Sequence, residues 1–305
     1  MPDTTTLTAK ELFDPEFLEA LRRLHILARR VAHGGRHAEQ RSNDLGAGIE
    51  FRDFRPYVPG DDFRSIDWTI YRRLGKVFLR LFEEFEDLPV YLLPDVSASM
   101  YMETPPRAQA GLRTALALTS IALNQHDSVG LFPFGDDLSV ALRPQSGKGR
   151  LMRFATSMTQ LEPAGPTDLT KSLRTLQALG LREGLAVIIS DFFDPTGIEG
   201  VLAALKRVRH RLLLVQLIRP IDRDPRLSGE LQMGDLQLRD CESGAIEEVS
   251  LTPAVLTRYR AAYDHFQEQL TGFANQRGIG LLQLDVEQDV LAQLATLFES
   301  GSMSV

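Results

Sequence analysis

From Val90 to the C-terminal region, short apolar runs alternate with stretches of helical periodicity, and no other feature restricts the fold as strongly. The runs 90–94, 128–134, 185–190, 211–218 and 280–284 predict strands, and residues 138–142 an antiparallel edge. Helices are predicted over 107–124, 149–160, 169–179, 197–208, 253–275 and 287–299. Strands that alternate with helices in this way build a mostly parallel sheet with helices on both faces, an α/β architecture. Residues 231–242 and 245–251, joined at Ser243-Gly244, read as an inserted hairpin.

Residues 1–88 read as a separate segment placed before this body, which spans 89–305. Asp14 caps a helix over 16–31 with Pro15 at its start, and His33-Gly34-Gly35 ends it. Residues 46–57 and 77–85 are extended. Between them, Gly60 to Trp68 predicts a folded clasp: Gly60 turns, Asp61 or Asp62 caps, Arg64 pairs with Asp67, and Ile66 and Trp68 anchor to the core.

Of the 305 residues, 43% are apolar, which suffices for one large core or two moderate ones. Cys241 is the only cysteine, so no internal disulfide forms, as fits a reducing cytoplasm. The first twenty residues are polar and acidic, and every apolar run is far shorter than a membrane span, so a cytoplasmic protein is expected. The net charge is −7, yet residues 20–80 hold 13 Lys or Arg against 7 Asp or Glu. Arg22, Arg23, Arg29, Arg30, Arg36 and Arg41 could mark a nucleic-acid surface, but that segment lacks the aromatic and glycine pattern of a known RNA-binding motif, and packing on the acidic body or a partner is favoured. A phosphate loop is absent too, because Gly147-Lys148-Gly149 does not complete G-x-x-x-x-G-K-[ST].

Ligands of an open parallel sheet bind beyond the carboxyl ends of its strands. Three polar clusters fall there. Asp95, Ser97 and Ser99 follow the first run of the body, Thr167 and Asp168 open a helix after Gly165-Pro166, and Asp191 closes the run 185–190 with Asp194 three residues on. Asp95, Asp191 and three hydroxyls make an oxygen-rich set suited to Mg²⁺ or Mn²⁺ and poor in the soft donors zinc prefers. Asp168 and Asp194 suit helix caps, Asp194 because proline follows it. Pro94 removes a ladder donor, so the strand is expected to end or bulge there, and Pro166 stiffens the loop before Thr167.

The order Asp95-x-Ser97-x-Ser99, Thr167, Asp191 resembles the metal-ion-dependent adhesion site of von Willebrand factor A domains. Upstream, Gly48-Ile49-Glu50-Phe51, Arg55-Pro56-Tyr57, Pro59-Gly60-Asp61-Asp62, Arg64 and Ile66-Asp67-Trp68 look like the bacterial family called domain of unknown function fifty-eight, over about residues 20–300. The resemblance implies a von Willebrand factor A-like, Rossmann-like fold and a metal held by Asp95, Ser97, Ser99, Thr167 and Asp191, with a partner's Asp or Glu completing the shell. It also implies a non-enzymatic adaptor working with a MoxR-type AAA+ ATPase. The competing expectation is a Mg²⁺-dependent phosphohydrolase with Asp95 as nucleophile, although such enzymes want a second acid where this chain has Ser97.

Overall fold

The computed structural model describes residues 7–8, 12–21, 24, 49–59, 61–63, 66–84, 88–229 and 233–299. These fall into two compact units, one drawn from residues 1–36 and 88–305, the other from 37–87. In the smaller unit, β1 (Ile49–Pro56) pairs antiparallel with β2 (Phe78–Glu84), with a bulge between Phe51 and Asp53. Helix α1 (Trp68–Leu74) lies between them in sequence, capped by Asp67, whose carboxylate accepts the Thr69 and Ile70 amides. Asp61 is not a helix cap: it takes a two-pronged bond from Arg55 at 2.8 and 2.6 Å and the Val58 amide at 2.9 Å. Trp68 is 59% exposed instead of anchored in a core, its ring meeting Tyr71 edge-on. Gly60 and Arg64, and so the expected Arg64–Asp67 pair, lie outside the described residues.

The larger unit is built on six strands: β3 (Val90–Pro94), β4 (Val129–Leu131), β5 (Leu142–Gln145), β6 (Leu185–Ser190), β7 (Arg211–Ile218) and β10 (Gly280–Asp285). Their order is β10-β7-β6-β3-β4-β5, parallel except for the edge strand β5. Side chains alternate across each strand. Val90 and Leu92 therefore enter one core and Tyr91 and Leu93 the other, as Val187 and Ile189 oppose Ala186 and Ile188.

The first core is covered by α2 (Arg107–Asn124), α3 (Leu151–Met158) and α7 (Val290–Glu299), the second by α4 (Leu169–Ala178), α5 (Gly197–Leu205) and α6 (Pro253–Arg277). Full burial of a side chain such as Leu92 or Leu93 contributes about 1.5–3 kcal/mol each. This is the α/β, mostly parallel sheet with helices on both faces that the alternation predicts.

The N-terminal residues depart from the expected division at 88. Leu12, Phe17, Leu21 and Leu24 join the first core, and Arg113 of α2 bonds Asp14 at 2.6 Å and the Leu12 carbonyl at 2.9 Å. Asp14 does cap the helical residues 15–21, accepting the Phe17 amide at 2.8 Å. The apolar stripe of that helix belongs to the sheet body, because α2 offers it a buried face. Its expected continuation over 25–31 and the His33-Gly34-Gly35 stop lie outside the described residues.

The edge strand was expected over 138–142 but spans 142–145. Residues 136–138 turn the chain, with Leu138 bridging Phe134, and pairing settles at Leu142 opposite Leu131 and Gln145 opposite Val129. An edge tolerates Pro144. The inserted hairpin comprises β8 (Gly234–Arg239) and β9 (Ile246–Leu251), so each arm is shorter than expected on its turn side. Asp240 is the reason: its carboxylate accepts the Glu242 and Ser243 amides and rounds off the turn over 240–245.

Candidate metal centre

β3 and β6 lie side by side, and their carboxyl ends bring Asp95 and Asp191 to one edge of the sheet. As expected, β3 ends at Pro94. Its register with Ile189 is intact, and the Asp95 amide goes on to donate to the Ile189 carbonyl at 2.8 Å. The missing donor falls on the β4 side, where Phe134 still donates to the Pro94 carbonyl at 3.1 Å but the regular strand has stopped at Leu131.

Beyond Asp95 the chain turns into a single 3₁₀ turn, Ala98–Tyr101. Asp95 Oδ1 accepts the Ser97 amide at 2.9 Å, and Ser97 Oγ lies 3.1 Å from Ser99 Oγ. Two ligands on neighbouring vertices of an octahedron with 2.0–2.1 Å bonds are about 2.9 Å apart. The 3.1 Å between the two hydroxyls is close to that spacing.

The loop that carries Thr167 is laced to the Asp95 loop. Ala98 donates to the Gly165 carbonyl and Ala164 to the Val96 carbonyl, both at 2.8 Å, while Asp136 donates to Ala164 and Asp168 to Gly135 at 3.1 and 2.8 Å. Gly165 supplies the positive φ of +66° that the loop needs, and a Cβ on Gly135 would sit 2.1 Å from the Ala164 oxygen. Asp168 caps α4 through the Lys171 amide, as expected. Asp194 is not the cap of α5, whose N-cap is Thr196. Its carboxylate holds the Leu169 amide at 2.9 Å and the Thr196 amide and hydroxyl, fixing the start of α4 beside the site.

Asp191 is followed by Phe192 at φ +63°, a conformation costing a bulky residue about 1–2 kcal/mol. Burial of the Phe192 ring in the second core offsets that cost. The kink lets Asp191 Oδ1 accept the Phe193 amide at 3.0 Å while its other oxygen lies 3.8 Å from Arg107. Ser190 bridges the two strand ends, donating to Asp95 Oδ2 at 2.7 Å and accepting the Phe192 amide at 2.9 Å.

Asp95 and Asp191 are both nearly inaccessible, and burial is the main cause lifting them, to about 6 and about 7. At Asp191, Arg107 opposes the lift and the charge of Asp95 adds to it. At Asp95, bonds from Ser97 and Ser190 oppose it and the charge of Glu242 adds to it. The Tyr101 hydroxyl, also buried, has no hydrogen-bond partner among the described residues and is pushed up by burial and then by Asp95. Mutually repelling buried carboxylates beside adjacent hydroxyls are a donor set that fits a hard divalent cation. Among the described residues no three His, Cys, Asp or Glu side chains converge as metal ligands, so Ser97, Ser99 and Thr167 would have to supply the remaining oxygens.

Three participants were not anticipated from the sequence. Ser190 stood next to Asp191 and could have been suspected. Arg107 opens α2 and donates from deep burial to Asp222, Glu103 and the Leu217 carbonyl. Glu242, at the hairpin tip, accepts both the amide and the hydroxyl of Thr167, at 3.0 and 2.9 Å. A separate cleft of about 890 Å³, lined in part by Arg219, Asp224, Tyr263 and Asp285, contains none of the five proposed ligands.

The chain belongs to the family described as protein of unknown function DUF58, whose model matches residues 53–269. It is 28% identical over 295 residues to the uncharacterized proteins Mb1516 of Mycobacterium bovis and Rv1480 of Mycobacterium tuberculosis, covering 95% of this chain and 91% of each relative. Among solved structures it is similar to conserved hypothetical protein BatB from Bacteroides thetaiotaomicron, at a TM-score of 0.42 and 16% identity, over 70% of this chain and 98% of that one. Among the described residues no helix is long and apolar enough to cross a membrane.

Proposed function

We propose that this protein is a non-enzymatic, metal-dependent interaction module of the von Willebrand factor A type. In this reading Asp95, Ser97, Ser99, Thr167 and Asp191 hold Mg²⁺ or Mn²⁺, and a partner's Asp or Glu completes the shell. The observation that carries it is the 3.1 Å pair of hydroxyls, Ser97 and Ser99, next to Asp95, whose buried carboxylate in turn repels that of Asp191. Bound there, the cation would offset their repulsion and leave a coordination position for a carboxylate from outside.

The remaining groups support binding over turnover. The position two residues after Asp95 is a hydroxyl, Ser97, and not the second acid that an aspartate-nucleophile phosphohydrolase wants. The sequence resemblance adds the partner: a MoxR-type AAA+ ATPase to which the module presents clients during assembly or maturation of larger complexes. The chain carries no Walker A of its own, so ATP dependence would come from that motor.

Isothermal titration with Mg²⁺ and Mn²⁺ tests the site: binding is expected in the wild type and lost in Asp95→Ala. Affinity purification with the same two baits, with and without chelator, tests the partner. Recovery of an ATPase only by the metal-loaded wild type supports the adaptor, and equal recovery in all four conditions refutes it.

A further inference from the structure

The loop that carries Thr167 is already met by a carboxylate from within the chain. Glu242 stands at the tip of the β8–β9 hairpin, 75 residues from Thr167, and takes both protons that Thr167 can donate. The turn aims it there. Asp240 binds the Glu242 and Ser243 amides at 2.7 and 2.9 Å, Gly244 closes onto the Asp240 carbonyl at 3.0 Å with φ +71°, and the Asp240 amide returns to Ala245 at 2.8 Å. A surface Glu with no task would keep its rotamer freedom in water. Holding this one costs side-chain entropy, which the two charge-assisted bonds to Thr167 offset.

We infer that Glu242 is a built-in ligand at the mouth of the site, holding the place an incoming carboxylate must take, so that the β8–β9 hairpin competes with acidic partners. The inference rests on the cation reading above and deepens it by naming what the open position recognises: a carboxylate presented on a turn. Thr167 is the pivot. Its hydroxyl gives its proton to Glu242 and keeps lone pairs for a cation, so the two roles are compatible at one oxygen. The charge of Glu242 is felt at Asp95, which places the carboxylate within electrostatic reach of the ligand set. A partner acid therefore gains the site only by displacing Glu242 and lifting the hairpin tip.

The test uses the full chain loaded with Mg²⁺ and a cyclic peptide that carries the turn Asp-Ala-Glu-Ser-Gly, together with its Gln version. Cys241 is the only cysteine and is exposed, so a trifluoromethyl tag on it reports the tip by fluorine NMR. Glu242→Gln and Glu242→Ala are expected to bind the acidic peptide about tenfold or more tighter than the wild type, with chelator abolishing binding and the Gln peptide failing on all three proteins. In the wild type, saturating acidic peptide should move the fluorine resonance. Equal peptide affinity in wild type and variants, with Mg²⁺ binding intact, would overturn the inference and leave the cation site standing. Absence of Mg²⁺ binding in the wild type and both variants would remove the cation reading and this inference with it.

Discussion

The Arg107 guanidinium is buried against Asp222, which accepts from both of its terminal nitrogens, and one of those nitrogens lies 3.8 Å from the Asp191 carboxylate. One cation thus serves a structural acid and a proposed ligand at once. Replacing it with Met should cost about 3–5 kcal/mol, because Asp222 would be left as a buried charge without compensation. Urea unfolding at neutral pH measures this, and a loss under 1 kcal/mol would show that the network carries little weight.

The two proposed ligands set opposite pH trends for stability and for cation binding. Asp95 and Asp191 ionise near 4 when unfolded but at about 6 and about 7 in the fold, so the unfolded chain gives up these protons first as pH rises. Their contribution to metal-free stability is therefore fully present below pH 4 and lost as pH passes through 6 to 7. A cation needs the deprotonated carboxylates, so its affinity should climb up to about tenfold per pH unit for each proton displaced and level off above pH 7. Titrating Mg²⁺ from pH 5 to 8 checks the rise, and Asp95→Asn should flatten much of it along with weakening binding.

Much of this was readable in the chain. The two-faced cores follow from alternation within continuous apolar strands, and Asp95 and Asp191 fall together because parallel neighbours end on the same side. Pro94 was legible as the end of β3, but not which neighbour loses the donor: β6 keeps the ladder while β4 absorbs the break. The hairpin arms misled because Asp240 bends the backbone with its own side chain, a choice that strand propensity does not encode. Glu242 could not be found at all. Its partner is remote in sequence, and nothing local distinguishes it from the other acids of the hairpin.

Cation binding should register as stability. A ligand held only by the folded chain adds about 2.7 kcal/mol at a hundred times its Kd. Thermal unfolding with saturating Mg²⁺ should therefore rise by several degrees, return with chelator, and show no rise in Ser97→Ala, where one hydroxyl of the pair is missing. An equal rise in the variant would point to nonspecific salt effects.

Gly135 tests whether the laced loops are what places Thr167. An added methyl group would meet the Ala164 oxygen at 2.1 Å, far inside contact distance, and that oxygen belongs to backbone that cannot swing aside alone. Ala164 also bonds Val96 in the Asp95 loop, and Gly135 accepts the Asp168 amide next to Thr167. Gly135→Ala should thus cost about 1–3 kcal/mol, the range for overpacking, and weaken Mg²⁺ binding though it alters no ligand. Gly149→Ala, with nothing within 4 Å of the new carbon, is the matched control and should leave both properties unchanged. Loss of stability with full Mg²⁺ affinity in Gly135→Ala would separate the loop lacing from the site.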